Sequence, residues 1–332
     1  MSVKKDVLNF LEQNRGMYIS GEELASTLLV SRTAIWKSIK QLEGEGHKIF
    51  ATPNKGYCLL EENDVLSEEG IRLNLASEYK EIPIHFEKET TSTNQIAKIS
   101  VTTGAKHGSV FLAEKQTSGR GRLGRPFLSM DGSGIYMSVI LKLNASASDA
   151  IYITTAASVA VYRAIKKVTD KDVQIKWVND LYYEGKKVCG ILTEAVTDLE
   201  TGMINSIVLG IGINFNVEPN KVPKDLQDIA GALYHGSTNN VTRNQLIAEI
   251  LNQVFLLCMN TDDRSFIKEY REHSMILGSD IWVITGNQKE SAKAIDIDDN
   301  GGLIVEFMDK TRRTLNSGEV SIRKRNENNE SK

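Results

Sequence analysis

Three glycines and three arginines fall within seven residues, Gly119-Arg120-Gly121-Arg122-Leu123-Gly124-Arg125, and the segments flanking them admit few folds. Val110 to Ala113 before the run is short and apolar, and Ile135 to Leu141 after it is β-branched and aromatic, so the loop joins two expected strands. Glycine lets backbone N–H groups approach a ligand closely, and each arginine offers a planar fork of donors suited to phosphate or carboxylate. Gly119, Gly121 and Gly124 also spell a dinucleotide-binding fingerprint, but that mechanism needs a helix N-terminus directly after the glycines. Here Pro126-Phe127 and a second glycine turn, Asp131-Gly132-Ser133-Gly134, follow instead, which excludes it. The loop is read as an anion-binding element, with a basic surface turn as the alternative.

The first 60 residues form a self-contained pattern. Val7, Leu8 and Leu11 lie at helical spacing, and Ser20 with Glu23 makes a capping box that opens a second helix with Leu24 and Leu28 on one stripe. After the turn Leu29-Val30, Ser31 caps a third helix whose inward face is Ile35, Ile39 and Leu42. The opposite face carries Arg32, Thr33, Trp36, Lys37 and Lys40. Two short helices with a tight turn, the second basic outside, make a helix-turn-helix over residues 21–40. Gly46 ends the unit, and Ile49 to Leu60, broken by Pro53-Asn54-Lys55-Gly56, reads as a hairpin wing. Ser31, Arg32, Thr33, Lys37 and Lys40 are the expected DNA contacts; Trp36 is left out because it could equally pack against the wing. A small helical domain with a solvated charged face is the alternative.

Glu61 to Gly70 is acidic and reads as a linker or hinge into a helix from Ser67 to Tyr79. Residues 82–275 read as mixed α/β. A strand is expected at Ile84 to Glu87, a helix from Thr93 to Ser100, and a long apolar helix from Asp149 to Val168. Strands at Val173 to Trp177, Val188 to Val196 and Ile204 to Asn214 are separated by Asn179-Asp180, Glu184-Gly185 and Thr201-Gly202, which implies an antiparallel meander. An amphipathic helix covers Thr242 to Met259. From Ile281 to Ile322 short alternating strands around Asp298-Asp299-Asn300-Gly301-Gly302 suggest a small β-barrel, and the polar stretch from Arg323 to Lys332 is expected to fray. The fold class is α+β and multidomain, divided at 1–62, 63–275 and 276–325.

A net charge of −3 supplies no global field for nucleic acid, so any such contact must be a local patch. Cys58, Cys189 and Cys258 are scattered and form no CxxC pair, which fits a reducing compartment and gives no metal site. No stretch of about 18 apolar residues exists, and the N-terminus lacks a signal-peptide core. A cytoplasmic location without membrane contact is expected.

Three further clusters carry candidate chemistry. Thr90-Thr91-Ser92-Thr93-Asn94-Gln95 can satisfy a small polar ligand with neutral hydrogen bonds, or can be a plain helix N-cap. Lys176-Trp177-Val178-Asn179-Asp180 ends a strand with a lysine, an amide and a carboxylate, or is simply a turn. Lys186-Lys187-Val188-Cys189-Gly190-Ile191-Leu192 sets a lysine at the start of an apolar strand, where an edge-guarding lysine is the alternative.

In this order and behind a winged helix, the set STNQ, QTSGRGR, KWxND, KVCGILTE and GIGIN resembles the bifunctional biotin-protein ligases that also repress biotin synthesis genes. The resemblance covers nearly the whole chain. It implies a winged helix, a central mixed sheet flanked by helices, and a C-terminal SH3-like barrel. It implies ATP-dependent ligation of biotin to a lysine of a biotin carboxyl carrier domain through biotinyl-5'-AMP, which also acts as corepressor on operator DNA in a ligand-promoted homodimer. ATP with Mg²⁺ as counter-ion and biotin as substrate follow, without a tightly bound prosthetic group. By position, Ser92, Thr93, Asn94 and Gln116 would surround the ureido ring of biotin, with Arg120, Gly121 and Arg122 on a closing loop. Lys187 would contact the biotin carboxylate and the α-phosphate, and Arg122, Phe127, Lys176, Asn179 and Asn214 would hold the adenylate. Lys187, Arg120 and Asp180 are the expected catalytic residues, Asp180 as a base or as a guide for the acceptor amine. Two positions depart from the family: Val178 stands where proline is usual, and Phe127 where tryptophan is common. A lipoate-protein ligase-like acyltransferase, or a ligand-sensing repressor without ligase activity, is the rival reading.

Overall fold

A computed structural model describes residues 2–142, 149–197, 204–236, 241–259, 263–285, 288–316 and 321–324. The chain divides into two compact units: Met1–Glu81 with Gly236–Asn252, and Ile82–His235 with Gln253–Lys332.

In the first unit, helices α1 (Val3–Gln13), α2 (Gly21–Thr27) and α3 (Arg32–Gly44) precede a hairpin of β1 (Ile49–Thr52) and β2 (Gly56–Leu59). Ser20 accepts from Glu23 N and Ser31 from Ala34 N, so both expected caps are made. The turn between α2 and α3 places Leu29 at a φ of 55°, a left-handed conformation that reverses the chain within a few residues. Val7, Leu11, Leu24, Ile35, Ile39, Leu42 and Leu59 form one core. Ser31, Arg32, Thr33, Lys37 and Lys40 are all exposed on α3, and Lys40 is paired with Glu43 at 2.6 Å. Trp36 is 52% exposed on the same face, so it does not bury itself against the wing.

The acidic stretch after the wing is held more firmly than a hinge. Asn63 is fully buried and accepts from Lys48 N at 2.9 Å, and Asp64 takes both the backbone N–H and the guanidinium of Arg243. The helix expected from Ser67 to Tyr79 is shorter: α4 runs over Glu68–Asn74 and a separate 3₁₀ turn over Ser77–Tyr79.

The second unit is built on a seven-stranded sheet in the order β3-β4-β5-β9-β8-β7-β6. Its strands are β3 (Ile84–Thr90), β4 (Val110–Gln116), β5 (Gly134–Leu141), β6 (Gln174–Lys176), β7 (Asp180–Tyr183), β8 (Lys186–Thr197) and β9 (Ile204–Asn214). Only β3 and β4 pair in parallel, through the crossover helix α5 (Thr93–Thr102), and the remaining pairings are antiparallel. The expected meander is therefore present. Asp180 lies not in the turn but at the first position of β7, and Thr201-Gly202 falls outside the described residues.

Successive residues of a strand face opposite sides, and β8 shows which helix covers which side. Thr193 Oγ1 meets Thr154 of helix α6 (Asp149–Thr169) at 2.7 Å, whereas Glu194 meets Asn94 and Lys98 of α5. The α6 face is filled: Ile153, Ala157, Val161, Ala164 and Ile165 are all fully buried, on a helix buried all round over residues 151–162. Helix α7 (Arg243–Cys258) matches its expected span, while α8 (Phe266–Glu272) was not anticipated. Its Tyr270 donates to Val178 O and its Glu269 clasps Arg163 of α6.

Residues 280–324 form a five-stranded antiparallel sheet, β10 (Asp280–Thr285), β11 (Gln288–Ile297), β12 (Leu303–Phe307), β13 (Arg312–Leu315) and β14 (Ser321–Lys324), ordered β13-β12-β11-β10-β14. Arg323 and Lys324 are thus in a strand, and the rest of the tail lies outside the described residues. Trp177 Nε1 donates to Gly301 O at 2.8 Å, which fastens the 298–302 turn to the central sheet. No helix among the described residues is long and apolar enough to cross a membrane.

The buried His47 carries a pH dependence. Burial pushes its imidazole from 6.5 down to about 4, with Lys4 and Arg15 adding to the fall and Glu45 opposing it. Between those values the unfolded chain binds a proton that the folded chain does not, so the contribution is present above pH 6.5 and is lost as pH falls toward 4. The loss should be on the order of 3 kcal/mol. Urea unfolding of α3, followed by amide exchange at pH 7.5 and pH 5, checks this: His47→Gln should flatten the difference, and an equal slope in parent and variant would remove His47 as its source.

Candidate active site

The face of the central sheet opposite α6 is only partly covered. Gly190 on β8 pairs with Gly212 on β9, and Gly210 on β9 pairs with Leu192 on one side and Ser138 on the other. At Gly212 a Cβ would stand 2.6 Å from the Phe127 ring, and at Gly210 it would overlap the Asn94 amide. These glycines let a helix end and an aromatic ring descend onto the sheet, and a cavity of about 330 Å³ remains between them.

Every candidate ligand residue lines that cavity: Ser92, Thr93, Asn94, Gln116, Arg120, Gly121, Arg122, Phe127, Lys176, Asn179, Asp180, Lys187 and Asn214. The sequence had missed Arg125 and the wall formed by Val217, Val222, Leu226 and Ile229 to Gly231. That wall is built from two 3₁₀ turns, Pro219–Lys221 and Lys224–Leu226, whose short period gives no strand or helix signal. Ser138 was missed too, although one hydroxyl inside the buried run of β5 is the pattern of a satisfied polar group with a task.

At one end the lining is neutral and polar. Ser92 occupies the N-cap position of α5 without making the capping bond. Gln116 satisfies the first helical N–H: its Oε1 accepts from Thr93 N at 2.9 Å while its Nε2 donates to Ser129 at 2.9 Å. Ser138 Oγ lies 2.8 Å from Thr93 Oγ1 and 2.6 Å from Asn94 Oδ1.

The other end is cationic. Arg120, Arg122, Arg125, Lys176 and Lys187 line the cavity, five cations against the single carboxylate of Asp180 among its described lining residues. The glycine-arginine loop is closed by its own backbone, Gly121 N to Arg125 O at 2.7 Å and Phe127 N to Gly119 O at 2.9 Å, with Leu123 at a φ of 56°. Arg122 reaches Asn179 Oδ1 at 3.3 Å, and Asn179 Nδ2 is held by Ile191 O at 2.8 Å. Burial draws the Arg122 guanidinium below its ordinary value, Asp180 opposing and Arg125 assisting. It nonetheless remains charged at neutral pH. Lys187 Nζ stands 2.6 Å from Asp180 Oδ1, close enough for an ion pair but out of line for a hydrogen bond, so that oxygen has no aligned donor. Asn214 Nδ2 donates to Gly231 O at 2.8 Å and fixes the missed wall. The Trp177–Val178 peptide ahead of Asn179 is cis.

A neutral polar pocket joined to a cationic one suits a ligand with an uncharged hydrogen-bonding head and an anionic tail. Residues 86–214 match the biotin/lipoate A/B protein ligase family, residues 3–58 an HTH domain, and residues 276–323 the biotin protein ligase C-terminal domain. The chain is 33% identical over 313 residues to the bifunctional ligase/repressor BirA of Bacillus subtilis (strain 168), covering 92% of this chain and 94% of that protein. To its namesake in Escherichia coli (strain K12) it is 28% identical over 312 residues, 93% of this chain and 94% of that one. A solved biotin protein ligase from Aquifex aeolicus, in complex with biotin and ATP, superposes with a TM-score of 0.62 at 26% identity over 73% of this chain and 99% of that one.

Gly210→Ala should force Asn94 off its three partners, Ser138, Leu192 O and Glu194, at a loss of about 1–3 kcal/mol typical of overpacking. Urea titration measures this, and a midpoint equal to the parent's would show that the close approach is not made.

Proposed function

Because this chain belongs to the family of bifunctional biotin ligase/repressors, we propose that its cavity condenses biotin with ATP and passes the biotinyl group to a lysine of a biotin carboxyl carrier domain. The chain is a biotin ligase and a DNA-binding repressor. The observation that carries the site assignment is the meeting of all candidate residues in one cavity, polar at one end and cationic at the other. We place the winged helix in residues 1–62, the ligase centre in 63–275 and an SH3-like barrel in 276–325. A bulge between Ala294 and Asp296, of the kind that curves a sheet toward closure, supports the barrel.

The biotin carboxylate attacks the α-phosphate of ATP, and pyrophosphate departs. Two anions must approach, and Arg120, Arg122 and Lys187 supply the preorganised positive charge that permits it. When a ligand oxygen takes the place of Asp180 beside Lys187, Asp180 is freed. Asp180 then orients the acceptor lysine, or takes its proton, as the amine attacks the biotinyl carbonyl and AMP leaves. Ser92, Thr93, Asn94 and Gln116 hold the ureido ring, and Phe127, Lys176, Asn179 and Asn214 hold the adenylate. Gly121 gives the arginine loop its close approach, and the loop closes over the mixed anhydride to keep water out.

Among the described residues no three His, Cys, Asp or Glu side chains cluster to hold a metal ion. Mg²⁺ would enter with ATP, Asp180 being the lining carboxylate that could help hold it, and it would neutralise the departing pyrophosphate.

The ligase test is incubation with biotin, radiolabelled ATP and a carrier domain, which must yield the labelled adenylate and then biotinylated carrier. Transfer of lipoate instead, or binding without adenylate, would favour the rival readings. Lys187→Ala should slow pyrophosphate exchange by ~10²-fold or more, the loss typical of one preorganised donor. Rates within a few-fold of the parent would take Lys187 out of the mechanism.

DNA binding should require the adenylate-bound homodimer. One α3 offers Arg32 and Lys37, with Ser31 and Thr33 beside them, while Lys40 is already paired with Glu43. So few phosphate contacts on a chain of net charge −3 are too weak for a monomer at physiological salt. Anisotropy with a palindromic operator, with and without biotin plus ATP, alongside sedimentation, reads this out. Equal affinity in both conditions, or specific binding by a monomer, would sink the corepressor model and leave the ligase standing.

A further inference from the structure

Glu194 does not line the cavity, yet it holds the amide of a residue that does. On β8 it continues the row Gly190, Leu192, whose members do line the cavity, one step beyond its edge. On α5, Asn94 and Lys98 are four residues apart and share a face. Glu194 bridges them: Oε2 accepts from Asn94 Nδ2 at 2.8 Å, and Oε1 meets Lys98 Nζ at 2.7 Å. Leu192 O accepts from the same Asn94 Nδ2 at 3.3 Å.

A carboxylate and a backbone carbonyl can only accept, so the NH₂ group of Asn94 must face them. Its Oδ1 therefore faces Ser138 and lies over Gly210, and both Asn94 and Gly210 line the cavity. An amide oxygen has two lone pairs and Ser138 fills one, which leaves the other for a ligand N–H. We infer that Glu194 is a positioning residue that fixes Asn94 as an acceptor toward the cavity, and so selects a ligand head group that donates an N–H there. This rests on the assignment of Asn94 to the ureido ring, whose N–H groups are such donors.

Glu194→Gln tests it by chemistry rather than by volume. The glutamine has one oxygen and two claimants, the Lys98 ammonium and the Asn94 amide. The charged partner makes the stronger bond and takes it. Glutamine Nε2 then meets Asn94 Nδ2, donor against donor, and Asn94 must turn or let go. Deleting the competitor with Lys98→Met frees the glutamine oxygen for Asn94, so the second substitution should repair the first.

The experiment is biotin-dependent pyrophosphate exchange by the full chain, comparing the parent with Glu194→Gln, Lys98→Met, the double variant, and Asn94→Ala. Glu194→Gln and Asn94→Ala should each raise the KM for biotin roughly 10-fold to 100-fold, the cost of leaving a buried ligand N–H without its acceptor, with kcat and the KM for ATP little changed. Lys98→Met, which removes a part-exposed ion pair, should stay within about threefold of the parent, and the double variant should return to its level. A double variant as impaired as Glu194→Gln would overturn the inference. So would a normal KM for Glu194→Gln beside a raised one for Asn94→Ala. If Asn94→Ala itself leaves the biotin KM unchanged, the ureido assignment falls, and the inference with it.

Discussion

The molecule depends on an asymmetry between the two faces of one sheet. One face is closed by α6, whose small and branched residues pack at full burial. The other is emptied at Gly190, Gly210 and Gly212, so that the start of α5 and the Phe127 ring can sit directly on the backbone. A glycine inside a strand costs about 0.5–1 kcal/mol in conformational freedom relative to alanine. The filled face offsets that loss, and the emptied one becomes a site whose floor is backbone rather than movable side chain. A floor of this kind holds ligand groups to the tolerance that bond making requires.

The polar and cationic ends of the cavity solve different problems with different side chains. The head-group end is a chain of neutral donors and acceptors in which each partner fixes the next: Ser129, Gln116, the first N–H of α5, Thr93, Ser138 and Asn94. The cationic end keeps charges apart from one another by tying them to neutral or opposite partners, Arg122 to Asn179 and Lys187 to Asp180. Repulsion among five cations is only partly screened in a concave site, so an anionic ligand relieves it on arrival.

Much of this architecture was legible in the sequence because local rules and global fold agree. The caps Ser20 and Ser31, the stripe Ile35-Ile39-Leu42 and the hairpin turns place the winged helix and the meander, since each needs only neighbours along the chain. The residues that line the cavity were legible as an ordered set rather than one by one. What stayed hidden depends on partners distant in sequence. Asp64 looks like part of a charged linker until Arg243 is seen across 179 positions. Glu194 looks like a solvated strand residue until α5 is laid over it, and α8 has too short an apolar face to stand out from the loop around it. The wall from Val217 to Gly231 has no period at all. In each case tertiary contact, not propensity, decides the role.

The register of the central strands carries a consequence for how such a chain can vary. Ser138, Gly210 and Leu192 stand side by side on three neighbouring strands, as do Tyr136, Gly212 and Gly190 two places along. Side chains alternate faces at every residue, so a single insertion in β5, β8 or β9 would send an entire row to the wrong side. The glycines would then leave holes beneath α6, while bulky residues rose into the ligand space. These strands can therefore exchange residues but cannot change length, whereas the loops that join them are free to do both. Among distant relatives, lineage-specific differences in length should be confined to those loops, with the spacing inside the three strands kept to the residue.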